Sequence, residues 1–335
     1  MSAIILAILG FGLLIIVHES GHFFVAKFFG IEADEFSIGM GPQIIGKQIG
    51  RTEFSLRALP IGAFVLFADP EDEANLEANP FVNAAPIKRL LIALAGPLAN
   101  FSLALILLIL LAFFSGIASN QPIVGALMPG GVAEASGLMA GDRIVKIEGH
   151  SIDTWSDITT YVAPAAEQKL IVEIERKGEN LTFLLTPALN DENRGVIGIA
   201  SSVEKYSFLG SFSAGIGEAF GMLKEVVLGL RLLFNKEALG QLIGPIGIVS
   251  ITGQMARSGL ADFNWFLAFL SINLGVFNLV PIPALDGGRI ILVLLEMIRG
   301  KKLNEKVEGI ISTLSFVLIF GLIILVSFRD ILKLY

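Results

Sequence analysis

Four long apolar runs constrain this chain more than any other feature of its sequence. They lie at about 3–29, 90–117, 263–285 and 310–328, and crossing a bilayer requires about 20 mostly apolar residues. Of the 335 residues, 54% are hydrophobic and 16% are charged, whereas soluble domains contain about a quarter charged residues. The sequence therefore predicts an integral membrane protein with four transmembrane helices and some soluble mass.

Composition and charge exclude several classes of protein. The formal net charge is −7 and no lysine- and arginine-rich run occurs, which argues against nucleic-acid binding. Without cysteine, the chain has no thiolate nucleophile, no cysteine-ligated metal and no disulfide. The first apolar run lacks a preceding basic segment and a following small-residue cleavage site, so we interpret it as a span and not as a signal peptide.

Positive charge near the spans predicts the orientation. Lysine and arginine flank the loop at 30–89 and crowd the loop at 286–309, and these residues favour the cytoplasmic side. We therefore expect both termini and the long segment 118–262 outside the cytoplasm.

The loops also contain patterns of regular structure. Residues 120–188 alternate apolar and polar positions, which predicts a small soluble α+β module of short strands. Residues 207–236 have helical apolar spacing, which indicates an amphipathic helix, either on the outer membrane surface or within the soluble module. Strand-like pieces at about 35–67 predict a β-hairpin that either re-enters the membrane or lies in the cytoplasm. The acidic segment 69–80 is expected to be a solvated linker.

The first span carries ionisable residues in its middle. His18 and His22 are four residues apart, so a helix places them on one face, one turn apart, where both imidazoles can bind one divalent cation. Glu19 is next to His18 and can take a proton from water at the metal, as the spacing of zinc metalloproteases allows. Ionisable groups inside a span cost at least about 2.5 kcal/mol each and usually mark function. The alternative is an interfacial helix end whose polar groups reach the surface.

A catalytic zinc ion needs a third protein ligand and an open position. The remaining histidine, His150, lies in the soluble module, so a carboxylate is expected. Asp286 in "NLVPIPALDGGRI" is the candidate, because it follows the third span near the cytoplasmic side, at the depth predicted for His18. Its alternative role is to cap a helix that begins near Gly287.

Two prolines indicate that the third span is broken beside Asp286. Pro281 and Pro283 each remove a helix donor and clash with the preceding turn. Broken backbone within a membrane must line a cavity or be covered by protein. Asn278 precedes the break and can donate to freed carbonyls or to a substrate backbone. A simple kinked span with an Asn cap explains the prolines but not their position beside Asp286.

Together these segments resemble the bacterial site-2 protease family, and in particular its RseP-type intramembrane zinc metalloproteases. The resemblance rests on "HESGH" in the first span, "NLVPIPALDGG" in the third, "AGPLANF" at 95–101 and "GPIGIV" at 244–249. The segment "GLMAGDRIVKIEG" at 137–149 resembles part of a PDZ domain.

The resemblance implies a fold and a set of domains. The fold is a polytopic α-helical membrane protein with four transmembrane helices, a membrane-associated β-hairpin region at about 35–67 and one inserted extracytoplasmic PDZ domain. Residues 1–117 and 263–335 form the two parts of the membrane domain, 118–206 the PDZ domain, and 207–262 an amphipathic helix and linker at the outer surface. RseP-type enzymes often carry two PDZ modules, whereas this segment has room for one.

The resemblance also implies a function and residue roles. It implies an intramembrane zinc-dependent endopeptidase of the bacterial inner membrane, with its active site toward the cytoplasmic leaflet. Its substrates would be single-span proteins already trimmed outside, such as anti-sigma factors or signal-peptide remnants, and the PDZ domain would screen or bind their outer part. The implied roles are zinc ligation by His18, His22 and Asp286, general base catalysis by Glu19, and groove formation by Asn278, Pro281, Pro283 and Asn100.

Other functions stay open at this point. A membrane transporter or metal carrier would fit a broken span with midplane polar groups. Such a carrier has no need of Glu19 beside two metal ligands, and no inverted repeat relates the two halves of the chain. A catalytically inactive PDZ scaffold would not need the complete ligand set. Two histidines and a carboxylate can also bind iron.

Overall fold

The computed structural model describes residues 2–67, 81, 83–190, 193–231, 244–301 and 305–333. The chain divides into two compact units, a larger one formed by Met1–Leu110 with Gly215–Tyr335 and a smaller one formed by Leu111–Ala214. The acidic segment 69–80, predicted to be a linker, lies outside the described residues.

The chain combines apolar helices with short and long strands. The helices are α1 (Ser2–Phe28), α2 (Pro86–Phe114), α3 (Val132–Ala135), α4 (Trp155–Val162), α5 (Phe208–Gly229), α6 (Pro245–Ser258), α7 (Leu260–Asn278), α8 (Asp286–Arg299) and α9 (Glu305–Lys333). The strands are β1 (Glu35–Ile49), β2 (Thr52–Leu66), β3 (Ile117–Ala118), β4 (Val124–Leu127), β5 (Arg143–Ile147), β6 (His150–Ser151), β7 (Leu170–Arg176), β8 (Glu179–Leu185), β9 (Ala188–Leu189), β10 (Gly195–Val196), β11 (Ile199–Ser201) and β12 (Val203–Glu204).

Four stretches of the described helices are long and apolar enough to cross a membrane. They are Ile5–Phe28, Pro86–Phe114, Leu260–Asn278 and Gly309–Asp330, and each overlaps one of the apolar runs of the sequence. The third differs in its end, because α7 stops at Asn278 although the apolar run continues to about 285. The chain after Asn278 turns back through hydrogen bonds from Leu279 N to Val276 O and from Val280 N to Phe277 O.

Strands β1 and β2 form a hairpin of the larger unit, in the region where strands are predicted. Residues 35–38 pair with both 53–56 and 63–66, so each long strand folds back on itself and the hairpin becomes a small curled sheet. Gly39 and Gly62 make these bends possible, because their positive φ angles of 91° and 87° are readily adopted by glycine. The sheet is therefore compact enough to pack as one body against a helix.

An aromatic cluster joins this hairpin to α1. The ring of Phe23 lies 5.5 Å from that of Phe36 and 5.7 Å from that of Phe54, and Phe36 stacks on Phe54. Phe23 and Phe36 are buried. Edge-on aromatic contacts of this kind stabilise a packing beyond the area that they bury, so the hairpin is fixed to the helix that carries His18 and His22.

Helix α6 lies within the segment predicted to be a linker, 207–262. Its Ile248 and Ile251 pack with Leu14 of α1 and with Phe266 and Leu270 of α7. The carboxylate of Asp330 accepts hydrogen bonds from the backbone amides that begin α6, at Gly244 and Gly247. Pro245 at the first helical position is a sequence signal for the start of a helix. The helix is nevertheless too short and too polar to be predicted as a span. Residues 232–243 of the segment lie outside the description.

The smaller unit contains a four-stranded antiparallel sheet in the order β6-β5-β7-β8. These strands occur where alternation predicts them, and their inward side chains Ile144, Ile147, Val172 and Ile174 are fully buried. Helix α3 belongs to the helical part of the predicted α+β module. Helix α4 was not predicted, although Thr154 and Asp157 form the capping box that marks its start.

An ion pair between buried Asp142 and half-buried Arg176 links the residue before β5 to the end of β7. The carboxylate of Asp142 accepts hydrogen bonds from Arg176 Nε and Nη2, both at 2.7 Å, and from Met139 N at 2.8 Å. Burial alone would raise the pKa of Asp142, but these hydrogen bonds outweigh it and hold the pKa below its ordinary value.

We predict that Asp142→Asn loosens the smaller unit at neutral pH and matters less in acid. Because the pKa of Asp142 is lower in the folded state, its stabilisation is present above the unfolded pKa of about 3.9 and is lost as the pH falls through the folded value. Hydrogen exchange of β5 and β7 in the full chain, corrected for intrinsic rates, measures this. A deficit in protection that is equal at pH 7 and pH 3 would contradict the prediction.

Candidate metal centre

Helices α1 and α8 bring three ligand-type atoms together. His18 Nε2 and His22 Nε2 are 3.3 Å apart, and Asp286 Oδ2 lies 3.0 Å from the first and 3.3 Å from the second. The three residues are buried, with exposed fractions of 7%, 9% and 8%. The four-residue spacing on α1 places the two imidazoles on one face, and Asp286 approaches them as the first residue of α8.

Two glycines allow α8 to begin so close to the end of α7. A Cβ atom on Gly287 would lie 2.3 Å from Val280 O, and one on Gly288 would lie 2.3 Å from Ile282 O. No side chain fits at either position, so the turn after α7 packs directly against the first turn of α8. Asp286 is the first residue of α8, and the N-cap position is Leu285, without a side-chain hydrogen bond. The carboxylate of Asp286 therefore does not cap the helix and lies beside the two histidines.

The arrangement fits a tetrahedral zinc ion. Ligand atoms about 2.0–2.1 Å from zinc in tetrahedral geometry lie about 3.3 Å from one another, and the three separations here are 3.0 to 3.3 Å. The two imidazole nitrogens are the polar groups closest to the buried oxygen Asp286 Oδ2, and no other described donor reaches it. A cation between the three atoms would compensate the burial of this carboxylate. Within the described part of the chain, these three residues form the group of histidine and acidic side chains that can hold a metal.

One face of α2 forms the wall behind both imidazoles. Ile92, Gly96 and Asn100 follow one another at intervals of four residues, which aligns them along the helix. The Ile92 carbonyl lies 2.7 Å from His22 Nδ1, and Asn100 Nδ2 lies 3.0 Å from His18 Nδ1. A carbonyl oxygen only accepts, so His22 carries its proton on Nδ1 and directs a lone pair on Nε2 toward the ligand cluster.

Gly96 is the point where α2 touches the imidazoles. A Cβ atom at this position would lie 2.4 Å from His22 Nε2 and 2.9 Å from His18 Cε1. On the opposing helix, a Cβ atom on Gly21 would lie 2.3 Å from Ala95 O. Both glycines are therefore required for the observed separation of α1 and α2.

The structure places the remaining predicted residues around this cluster. Glu19 is half-buried and close enough to His18, His22 and Asp286 to interact with them electrostatically. Asn278 is the half-buried last residue of α7; Pro281 is exposed and Pro283 half-buried in the turn before α8. Asn100 is fully buried against His18.

Sequence reasoning missed Ile92 and Gly96. Ile92 contributes its backbone carbonyl, which every residue possesses, so no residue pattern indicates it. Gly96 could have been recognised from the sequence, because a glycine inside a helix weakens that helix and usually marks close packing.

Comparison with known proteins identifies the family. Residues 6–322 match the sequence profile of peptidase family M50. The chain belongs to this family. A protein from Clostridium perfringens is 40% identical over 332 residues, which cover 98% of each chain. The zinc metalloprotease RasP of Geobacillus kaustophilus is 32% identical, with 100% of this chain and 99% of that protein aligned. The regulator of sigma-W protease RasP of Bacillus subtilis is 30% identical with the same coverage.

These alignments differ in length. Those with the two RasP proteins span 417 and 420 positions, more than the 335 residues of this chain, so both relatives contain insertions relative to it. Among solved structures, the PDZ domain of an SdrC-like protein from Listeria monocytogenes is 18% identical, with a TM-score of 0.22, and aligns with 25% of this chain and 88% of its own.

We predict that Gly96→Ala weakens zinc binding at least about tenfold, the effect typical of removing the support of a metal ligand. The added methyl group must displace an imidazole or separate α1 from α2. Gly12→Ala on α1 is the matched control, because a Cβ atom there meets nothing within 4 Å. Zinc affinity of the purified full-length variants, measured by chelator competition, tests this. Equal affinities of the wild type and Gly96→Ala would refute the proposed contact.

Proposed function

We propose that the protein is an intramembrane zinc endopeptidase that cleaves single-span membrane proteins. The observation that carries this proposal is the convergence of two α1 imidazoles and the Asp286 carboxylate at 3.0–3.3 Å, with Glu19 beside them. The protein is a multi-pass membrane protein and a zinc metalloprotease of peptidase family M50, as its family and its zinc metalloprotease relatives support.

Each residue of the cluster has a distinct role in this proposal. His18, His22 and Asp286 hold the zinc ion, which supplies a Lewis acid at the scissile carbonyl. Glu19 takes a proton from the attacking water and returns it to the leaving amine. With 3.6 residues per turn, Glu19 lies between the histidine stripe and Phe23, on the side of α1 that faces the β1–β2 hairpin.

The hairpin is proposed as the docking strand for the substrate. A transmembrane helix hides its carbonyls in internal hydrogen bonds, so it must unwind before cleavage. An extended segment could then pair with an edge of the hairpin, as in β-augmentation. The Phe23 cluster fixes the hairpin to α1, which keeps such a strand on the Glu19 side. Exposed apolar side chains at Met40, Ile44 and Ile45 support an association of this hairpin with the membrane.

The turn between α7 and α8 is proposed as part of the substrate groove. Pro281 and Pro283 of this turn cannot donate helical hydrogen bonds, because proline has no backbone N–H. Asn278 precedes the turn. The packing of this turn against Gly287 and Gly288 supports the assignment, because it puts irregular backbone next to Asp286. Irregular backbone at membrane depth is tolerated where it lines a cavity or is covered by protein.

The proposed topology has four spans with both termini outside the cytoplasm. The smaller unit, as a single PDZ domain at about 118–206, would then be extracytoplasmic. The segment 207–262 would begin on that side, and its helix α6 packs against Leu14 of the first span. With the N-terminus outside, α1 runs toward the cytoplasm, and His18 lies 13 positions beyond Ile5, each adding about 1.5 Å. The active site would therefore lie toward the cytoplasmic leaflet. The name of the Bacillus subtilis relative supports anti-sigma-factor-like substrates, with the PDZ domain binding their outer part.

We predict that Glu19→Gln lowers cleavage of a model single-span substrate by about 10²–10⁴-fold, the usual contribution of a general base. Zinc content should stay near one ion per chain, because the substitution leaves the three ligands intact. Asp286→Ala is the matched variant and should lose both zinc and cleavage. Full cleavage by Glu19→Gln would contradict the role of Glu19 as general base, whereas a wild type that binds zinc and cleaves no substrate would favour a metal carrier.

We predict that positions 150 and 300 lie on opposite sides of the membrane. Reporter fusions should give active alkaline phosphatase after residue 150 and fluorescent protein signal in the cytoplasm after residue 300. The basic residues around 286–309 are the physical cause, since they favour the cytoplasmic side. A cytoplasmic reporter at position 150 would overturn the topology while leaving the metal centre unaffected.

A further inference from the structure

The two imidazoles of the centre differ in what lies behind them. His22 Nδ1 faces the Ile92 carbonyl, which can only accept a hydrogen bond. His18 Nδ1 faces the side-chain carboxamide of Asn100, which has a donor and an acceptor end. The partner of His22 therefore permits one tautomer, whereas the partner of His18 can serve both.

The orientation of the Asn100 amide and the tautomer of His18 are coupled. With Asn100 Nδ2 at 3.0 Å, His18 Nδ1 must accept, and the ring proton is on Nε2, which lies 3.0 Å from Asp286 Oδ2. Zinc ligation requires the reverse, because Nε2 must offer its lone pair and Nδ1 must then donate to an acceptor. A half-turn about the Cβ–Cγ bond of Asn100 supplies that acceptor.

The amide oxygen of Asn100 is not held against this half-turn. Asn100 Oδ1 is buried and has no hydrogen-bond partner among the described residues, so rotation breaks no bond that it makes with them. Either orientation leaves one end of the amide without a partner in this part of the chain. The His18 ring, and through it the metal, therefore decides which end faces inward.

The position of Asn100 is itself fixed. The residue is fully buried, and its backbone carbonyl accepts a hydrogen bond from Ser271 Oγ of α7 at 2.8 Å. A leucine would fill a similar volume without the cost of burying a carboxamide that is only partly hydrogen-bonded. Packing alone therefore does not explain an asparagine here, whereas its contact with His18 does.

We propose that Asn100 is a positioning residue for His18, whose carboxamide supports the ring in both tautomers and accepts the Nδ1 proton when Nε2 binds zinc. This inference rests on the proposed function, since it concerns the same metal centre. It assigns Asn100 a place behind a ligand, distinct from contact with the substrate.

The test compares zinc affinities of full-length protein in detergent micelles by chelator competition. Asn100→Leu removes the acceptor and should weaken zinc binding about 10–100-fold. Asn100→Asp keeps an acceptor at the same place and should bind zinc with close to wild-type affinity. The control is Asn264→Leu, which removes a carboxamide that donates to Leu107 O at a distance from the centre, and wild-type affinity is expected.

A spectroscopic measurement separates positioning from simple packing. In zinc-loaded protein labelled with ¹⁵N-histidine, the His18 ring should carry its proton on Nδ1 in the wild type and in Asn100→Asp. In Asn100→Leu the chemical shift of that Nδ1 proton should no longer show the effect of a hydrogen bond. This measurement does not depend on cleavage. The comparison of the wild type with Asn100→Asp remains informative even if Asn100→Leu folds poorly.

The outcomes distinguish the inference from the function on which it rests. Wild-type affinity of Asn100→Leu, or equal weakening in Asn100→Asp and Asn100→Leu, would overturn the positioning role. If Asp286→Ala loses zinc while Asn100→Leu keeps it, only the inference fails. If Asp286→Ala keeps wild-type affinity, the metal centre lies elsewhere and both fail.

Discussion

The close contact between α1 and α2 is the constraint on which the centre depends. A Cβ atom on Gly21 or Gly96 would lie 2.3–2.4 Å from an atom of the opposing helix, so only glycine allows the observed separation. Small residues have this role where helices pack in membranes. The contact brings the Ile92 carbonyl and the Asn100 amide within reach of imidazole nitrogens that would otherwise be buried without a partner, at substantial cost.

Helix α1 acts as the common support for three structures. Its histidine stripe faces α2 and α8, Phe23 anchors the β1–β2 hairpin, and Leu14, one turn before His18, packs against α6 and α7. Because a single rigid helix carries all three contacts, the hairpin and the ligands keep a fixed relation to each other. The proposed cleavage of an unwound strand would require such a fixed relation, since small misplacements of reacting atoms reduce rates strongly.

The predictability of this centre follows from the kind of atom that each residue contributes. His18 and His22 could be paired from spacing alone, because helix periodicity places them on one face. Asp286 could be nominated because His150 lies in another part of the chain and a proline break precedes it. The Ile92 carbonyl has no sequence signature. The packing of α6 against α1 depends on contacts over more than 230 residues, which local patterns do not encode. The curled pairing of β1 and β2 likewise depends on tertiary contacts.

The break between α7 and α8 shows how the fold places a carboxylate in an apolar environment. A continuous α7 would pass the histidines with its backbone hydrogen bonds closed and no acidic group at their level. Ending the helix at Asn278 frees several carbonyls, and the turn recovers part of that cost through its own hydrogen bonds, such as Leu285 N to Ile282 O at 2.8 Å. Beginning α8 at Asp286 then places the carboxylate near the positive end of a helix dipole. That position stabilises the ionised form which a metal ligand requires, so the interrupted span and the charge at its restart are parts of one arrangement.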